Sequence, residues 1–445
     1  MSNPFANWWQ SQRLKIALLK GDTQKAVQLL QAIQKSGVKF SWLEKLFRDK
    51  LKFERSYQEY QQEKETLTGK LHDALQQLED IKLQTKFPTS DNDFLKTDNE
   101  FIKHIYKTFN LLVHDENKIQ CTGIDERIFD DFEAQLVDYL KDEFNKIPDE
   151  RLSVKLQDAL EDINSLKSGK DPDYGFSLTP HVYYMKYFLE NVYCLYLAWF
   201  LIYESGLLSA KTNILDIAAG PATTAFGLGL FLQSTSGFFK VPQTHISYYS
   251  FEKQNAFQFR GLQFWRKYIE SSKTSVNAFF RFVTEDIFNC NVKNNNIPND
   301  FFDFIVISHC FFTDTVRRIQ ANNNYKKIFS TCLKEQGYVL LIIQDKKLYK
   351  AYDAYQVEDH HQEKNLVSKF LGELDLELVW YKYLTSTGSR TPFTSIEFAK
   401  FAQNKLPLQN QMSKMLQKYF AQKYKSHYAL DDYIILAKKS HNGIY

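Results

Sequence analysis

The sequence predicts an α/β protein: a largely parallel sheet with crossover helices from about residue 180 onward, behind an all-α, partly coiled-coil N-terminal region. Three observations predict it. Residues 213–231 read as a strand, a tight turn of small residues and a helix start. Beyond them, short apolar runs alternate with helical spacings as far as residue 437. Before residue 175, apolar residues recur at helical spacings.

From the N-terminus, Leu14, Leu18, Val27, Leu30 and Ile33 fall at helical spacing around Lys20-Gly21-Asp22-Thr23, where Asp22 or Thr23 is suited to cap a second helix. The pair resembles one tetratricopeptide-type hairpin, a single unit without a repeat. From Leu46 a 4-3 spacing runs through Phe53, Tyr57, Tyr60, Leu67, Leu71, Ala74, Leu78 and Ile81. It predicts a coiled coil or a long helical hairpin, with Lys50, Lys64 and Gly69 as its weak points. Phe87 to Asp93 reads as a linker, broken by Pro88. Helices are expected over Phe94 to Val113, Ile128 to Phe144 and Leu152 to Leu166, then a loop from Gly169 to Gly175. The expected domains are 1–88, 94–175 and 180–445.

Val182 to Tyr203 is apolar and aromatic, but Lys186, Glu190 and Asn191 interrupt one half of it. Such charges at mid-membrane cost about 2.5–3.5 kcal/mol each. A buried amphipathic helix is therefore expected, and no membrane partner. Tyr183, Tyr184, Tyr187 and Asn191 are candidates to face a pocket, although core packing is the commoner role. Strands follow at Ile214 to Ile217, Ile246 to Phe251, Ala278 to Val283, Phe301 to Ile307 and Gly337 to Ile343. Leu376 to Tyr383 and Tyr433 to Ala437 fit two more, with helical insertions at 353–372 and 407–424.

The 445 residues allow two or three domains and a large core. With 37 Phe and 26 Tyr, bulky cores or a pocket for a flat ligand are expected. The five cysteines form no C-x-x-C pair, which argues against a disulfide framework or zinc ribbon and for a reducing, cytoplasmic setting. No segment has metal-ligand spacing. The net charge of +3 conceals three blocks: +5 over residues 1–90, −10 over 91–175 and +8 beyond. The acidic block either packs on a basic neighbour or presents solvated helix faces.

The turn after the first strand reads Asp216-x-Ala218-x-Gly220-x-Ala222. It resembles motif I of the class I S-adenosylmethionine-dependent methyltransferases, whose loop usually reads acidic-x-Gly-x-Gly-x-Gly. Only the middle glycine survives here. Alanine fits where φ is negative but adds a Cβ where a ligand must come close. A dinucleotide fingerprint fits less well, because Gly220 and Gly227 lack G-x-G-x-x-G spacing. Glu252, ending the second strand, is suited to accept both ribose hydroxyl protons of a nucleoside. Asp216/Gly220, Glu252, Asp286 and Asp303 leading into Ser308 follow in order through one repeated β/α pattern.

The resemblance covers about residues 180–440. It implies a Rossmann-like, seven-stranded methyltransferase-type sheet with S-adenosyl-L-methionine as cofactor. It further implies that the helix before the first strand covers the cofactor and that Asp286 meets the adenine amino group. Ile287 would pack on the ring, Ser308 would line the cofactor side, and acceptor chemistry would lie at the end of the fourth strand.

Methyl transfer from a sulfonium is an in-line displacement, so positioning dominates, and a neutral hydroxyl acceptor also benefits from a general base. The Asn/Asp-Pro-Pro-Tyr signature of enzymes acting on exocyclic nitrogens is absent, as is the Pro-Cys of cytosine C5 enzymes. His309 lies near where some phenol O-methyltransferases carry a catalytic histidine, a structural loop histidine being the plainer reading; Cys310 reads as a small buried residue. Two functions stand: a methyltransferase of unknown acceptor, with O-methylation as one option, or a scaffold protein with a degenerate methyltransferase-like domain. In either, the N-terminal helices would recruit a protein partner or self-associate. Lys414, Lys418, Lys423 and Lys425 suggest phosphate contacts or a solvated helix face, which leaves nucleic acid open.

Overall fold

The computed structural model describes residues 4–35, scattered residues between 41 and 70, and 94–168, 172, 174–238, 244–271, 276–289 and 297–440. The chain divides into two compact units, residues 1–65 with 175–177, and residues 66–174 with 178–445. In the first, α1 (Pro4–Leu19) and α2 (Thr23–Lys35) form a helical hairpin. Gly21 turns it at φ +69°, and the Asp22 carboxylate accepts the Lys25 N–H at 3.1 Å, so Asp22 supplies the cap. Leu14, Ala17, Ala26, Leu30, Ile33 and Phe47 make its small core. Most of the expected 46–81 coiled coil, and the 87–93 linker, lie outside the described residues.

The second unit is built on one sheet. Its central strands are β3 (Lys211–Ile217), β4 (Thr244–Glu252), β5 (Val276–Thr284), β6 (Phe302–Ser308) and β7 (Leu333–Gln344), paired in parallel in the order β5-β4-β3-β6-β7. The last strand, β9 (Asp431–Lys439), inserts antiparallel between β7 and β8 (Leu376–Thr385). The seven expected strands are all present. The sheet nevertheless has nine, because β1 (Leu111–Val113) and β2 (Lys118–Cys121) form a hairpin whose second strand adds in parallel to β8. The helix expected over Phe94 to Val113 is thus shorter, α3 (Asn99–Thr108), capped by Asp98. The acidic region thus supplies two strands of this sheet.

The rest of the acidic region is helical, α4 (Glu126–Phe144) and α5 (Asp149–Ile163). The crossover helices include α8 (Thr223–Thr235), α9 (Asn255–Tyr268) and α10 (Thr315–Cys332). Helix α4 meets the basic side chains of α9: Arg260 pairs with Glu143, and Lys267 with Asp142 at 2.8 Å. Phe132 of α4, Phe226 of α8 and Phe264 of α9 cluster there, with ring centroids 5.2–5.7 Å apart. Much of the phenylalanine content is therefore core, worth about 1.5–3 kcal/mol per fully buried ring.

Val182 to Tyr203 is helical but not one regular helix. The short α6 (Thr179–Tyr183) passes into a π-turn at Tyr184–Phe188 and then α7 (Leu189–Glu204). Every side chain from Val192 to Tyr203 is buried, so this helix has no polar face. Among the described residues no helix is long and apolar enough to cross a membrane. After β7 come α11 (Asp345–Ala351) and α12 (His360–Gly372); between β8 and β9 lie α13 (Ser395–Lys405), which was not expected, and α14 (Asn410–Phe420).

Candidate functional site

Strand order reverses at β3, which has β4 on one side and β6 on the other. The carboxyl ends of such strands frame the crevice where open α/β sheets bind ligands. Ile217 is level with Phe251 on β4 and Ile307 on β6, so Asp216, Glu252 and Ser308 arrive at the same edge.

The loop leaving β3 holds three alternate residues in the left-handed region: Ala218 at φ +56°, Gly220 at +53° and Ala222 at +63°. These are the three glycine positions of the motif. Both alanines therefore sit where φ is positive, at about 1–2 kcal/mol each for the Cβ. The turn is fixed by its own hydrogen bonds, Ala219 N–H to the Phe251 carbonyl at 3.2 Å and Ala222 N–H to the Ala219 carbonyl at 3.0 Å. A Cβ built on Gly220 meets nothing within 4 Å, so open space faces the middle of the loop. Ala222 leads into α8 without a side-chain cap.

Glu252 grips this loop. Its carboxylate accepts the Gly220 N–H and, on its other oxygen, the Gln254 N–H, each at 2.9 Å. Burial raises its pKa, opposed by these backbone N–H groups. Asp216 is buried and accepts the Tyr248 hydroxyl; burial pushes its carboxyl up to about 7. Over this pair lies Tyr183, whose hydroxyl accepts from Asn191 Nδ2 at 3.0 Å and whose ring meets Phe257 at 5.3 Å. Burial, with the charges of Glu252 and Asp216, pushes the Tyr183 phenol up to about 12. Tyr187 joins this side, 5.8 Å from the Tyr183 ring. Tyr184 does not. It is fully buried against Phe188 and Tyr139, because consecutive side chains of a helix point to different faces.

Asp286 stands past β5. One carboxylate oxygen accepts the Phe288 N–H at 3.0 Å and the other faces Lys253 Nζ at 3.3 Å. The Ile287 side chain packs into the core with Ile217, Phe251 and Ile307. Asp303 is at the opposite end of β6, where it takes the Asn213 N–H and Lys334 Nζ; it holds the sheet and is remote from this edge.

At the end of β6, His309 has φ +62°. Its N–H donates to the Ile342 carbonyl at 2.8 Å, and its own carbonyl accepts Lys347 Nζ at 3.1 Å. The ring lies between Ser308 Oγ, 2.9 Å from Nδ1, and Asp432 Oδ1, 3.0 Å from Nε2. Cys310 is half-buried and packs beside the core.

Sequence reading missed Asp432, Tyr248 and Gly261. Asp432 is 123 positions from His309 and meets it only through the sheet. Gly261 carried a signal, a glycine inside a helix, which usually marks close packing. A Cβ there would meet the Pro221 carbonyl oxygen at 2.7 Å, so α9 rests directly on the loop backbone.

Solved structures of methyltransferases are similar to this chain. The fold resembles that of S-adenosylmethionine-dependent methyltransferases. A candidate enzyme of this kind from Methanococcus maripaludis matches 60% of this chain and 93% of its own, at 12% identity and a TM-score of 0.28. A TehB-like S-adenosylmethionine-dependent methyltransferase from Corynebacterium glutamicum matches 52% and 80%, at 10% and 0.25. A Haemonchus contortus phosphoethanolamine N-methyltransferase in complex with S-adenosyl-L-methionine matches 55% and 52%, at 12% and 0.27. No family model matches this chain, and no curated protein matches its sequence. The residues of the site itself carry the functional reading.

Proposed function

We propose that this chain binds S-adenosyl-L-methionine at the ends of β3, β4 and β5 and methylates an acceptor held at the end of β6. The observation that carries the reading is the loop, which keeps a left-handed backbone at Ala218, Gly220 and Ala222 although two of the three are alanines. Strain of this kind persists where the surrounding structure enforces it, and it gathers at ligand sites. The open space in front of Gly220 suits close approach of a ligand, and the uncapped start of α8 leaves N–H donors facing the same edge.

When bound, the sulfonium supplies an electrophilic methyl group. Glu252, whose oxygens accept the Gly220 and Gln254 N–H groups, keeps lone pairs for ribose hydroxyls. Asp286 meets the adenine amino group, and Tyr183 closes the cofactor side. His309 takes the proton of a hydroxyl acceptor. The helices of residues 1–88 recruit a partner or a second copy and leave the chemistry to 94–445.

Calorimetry with S-adenosylhomocysteine tests the first half. The wild type should bind, and Glu252→Ala should lose about 1.5–3 kcal/mol, the worth of hydrogen bonds to a charged group. A wild type that binds nothing at millimolar ligand overturns the reading. Turnover against a panel of phenols, small acids, peptides and RNA tests the second half and separates an enzyme from a scaffold that only binds.

A further inference from the structure

A carboxylate offers only acceptor sites, so the 3.0 Å contact between Asp432 Oδ1 and His309 requires the proton on Nε2. In the neutral ring Nδ1 is then the lone pair, and at 2.9 Å it accepts the Ser308 hydroxyl. Asp432 is itself buried and its other oxygen takes the Asp431 N–H at 3.4 Å. Lys347 is engaged with the His309 carbonyl and faces neither ring nitrogen within hydrogen-bond reach. Behind Asp432 stands Glu190 of α7, whose carboxyl is pushed up to about 8 by burial and by the Asp432 charge. The ring is thus bracketed by one hydroxyl and one carboxylate.

We propose that Asp432, on the last strand, is the positioning residue for His309: it holds the proton on Nε2 so that Nδ1 receives the acceptor's proton through Ser308 Oγ. The proposal rests on the reading of His309 as the base. In the step, the acceptor O–H bond breaks and its proton passes to Ser308 Oγ as the Ser308 proton passes to Nδ1. Ser308 ends unchanged, and the new imidazolium lies beside the Asp432 carboxylate, which stays ionised. The same division of labour, a carboxylate that fixes tautomer and charge without taking the proton, operates in hydrolase triads.

The test uses full-length protein labelled with ¹⁵N-histidine, the His309→Gln variant identifying the two nitrogens by difference. Wild type should show a protonated Nε2 and a bare Nδ1. In Asp432→Asn the new amide can donate to Nε2, and the proton should move to Nδ1; Asp432→Glu should keep it on Nε2. With the acceptor that the turnover panel returns, Asp432→Asn should lower kcat by about two to four orders of magnitude. KM for S-adenosylmethionine should stay constant, and Asp432→Glu should restore part of the rate. A wild-type ring protonated on Nδ1, or an unchanged tautomer in folded Asp432→Asn, overturns the proposal. If the wild type methylates nothing, the methyltransferase reading fails, while the nitrogen spectrum still decides the role of Asp432.

Discussion

Exchanging alanine and glycine within residues 218–222 tests the loop in two directions. Ala218 at φ +56° carries about 1–2 kcal/mol of left-handed strain. Glycine removes that strain but adds about 0.4–1 kcal/mol of unfolded-state entropy. Ala218 is only half-buried, so little packing is lost, and Ala218→Gly should stabilise the protein by about 0.5–1 kcal/mol. Ala222 is 2% exposed, and losing its methyl forfeits about 0.8 kcal/mol of burial, which leaves Ala222→Gly close to neutral. Gly220→Ala runs the other way. It should cost about 0.5–1 kcal/mol from φ alone, because the added Cβ meets nothing within 4 Å. If the space in front of Gly220 belongs to a ligand, the same methyl should lower affinity for S-adenosylhomocysteine more than tenfold. Urea unfolding gives the first set of numbers and calorimetry the last. Gly220→Ala with wild-type affinity would refute the cradle, and a destabilised Ala218→Gly would refute the strain.

Four further perturbations follow from the same geometry. Gly227→Ala places a Cβ 2.6 Å from that of Leu195, and Gly261→Ala places one 2.7 Å from the Pro221 carbonyl oxygen; each should destabilise by about 1–3 kcal/mol on urea unfolding, and Gly261→Ala should also weaken ligand binding. Because burial raises the Asp216 carboxyl to about 7, the native state holds a proton that the unfolded chain releases near 4. Stability should therefore fall as pH rises between those values, and unfolding of Asp216→Asn across that range should lack this slope. A chain beginning at residue 94 should unfold in one cooperative thermal transition and retain S-adenosylhomocysteine binding; an insoluble product would place the N-terminal helices within the core.

The central strands were legible because each is a short apolar run bounded by turn residues. Ile214, Leu215 and Ile217 are fully buried in β3, as such a run requires. The β1–β2 hairpin was not legible. Leu111, Leu112 and Val113 continue a helical spacing; what makes them a strand is pairing with β2, which itself joins the sheet only through β8, more than 250 residues later. The π-turn at Tyr184–Phe188 was equally hidden, since periodicity places Tyr183 and Tyr184 on neighbouring faces and gives no notice of an extra residue in the turn. At the candidate site, the strand-end positions of Asp216, Gly220 and Glu252 were legible from the spacing. The backbone of Ala218 and Ala222 was not, because alanine gives no sign of positive φ. Asp432 required the antiparallel insertion of β9, which a linear pattern does not specify.

That nine-stranded sheet has a consequence for the order in which the chain is finished. Lys118 to Gln120 pair with Tyr383 to Thr385, so the β1–β2 hairpin leaves the ribosome about 260 residues before its partner. At roughly 5–20 residues per second the wait is about 13–50 s. During that interval β2 is an unpaired edge beside the half-buried and exposed Leu111, Leu112 and Val113, the kind of surface that joins other chains. The central strands from β3 to β7 can already pair as they emerge. Closing the sheet at β8 and β9 is therefore the late event that both shields this edge and brings Asp432 to His309.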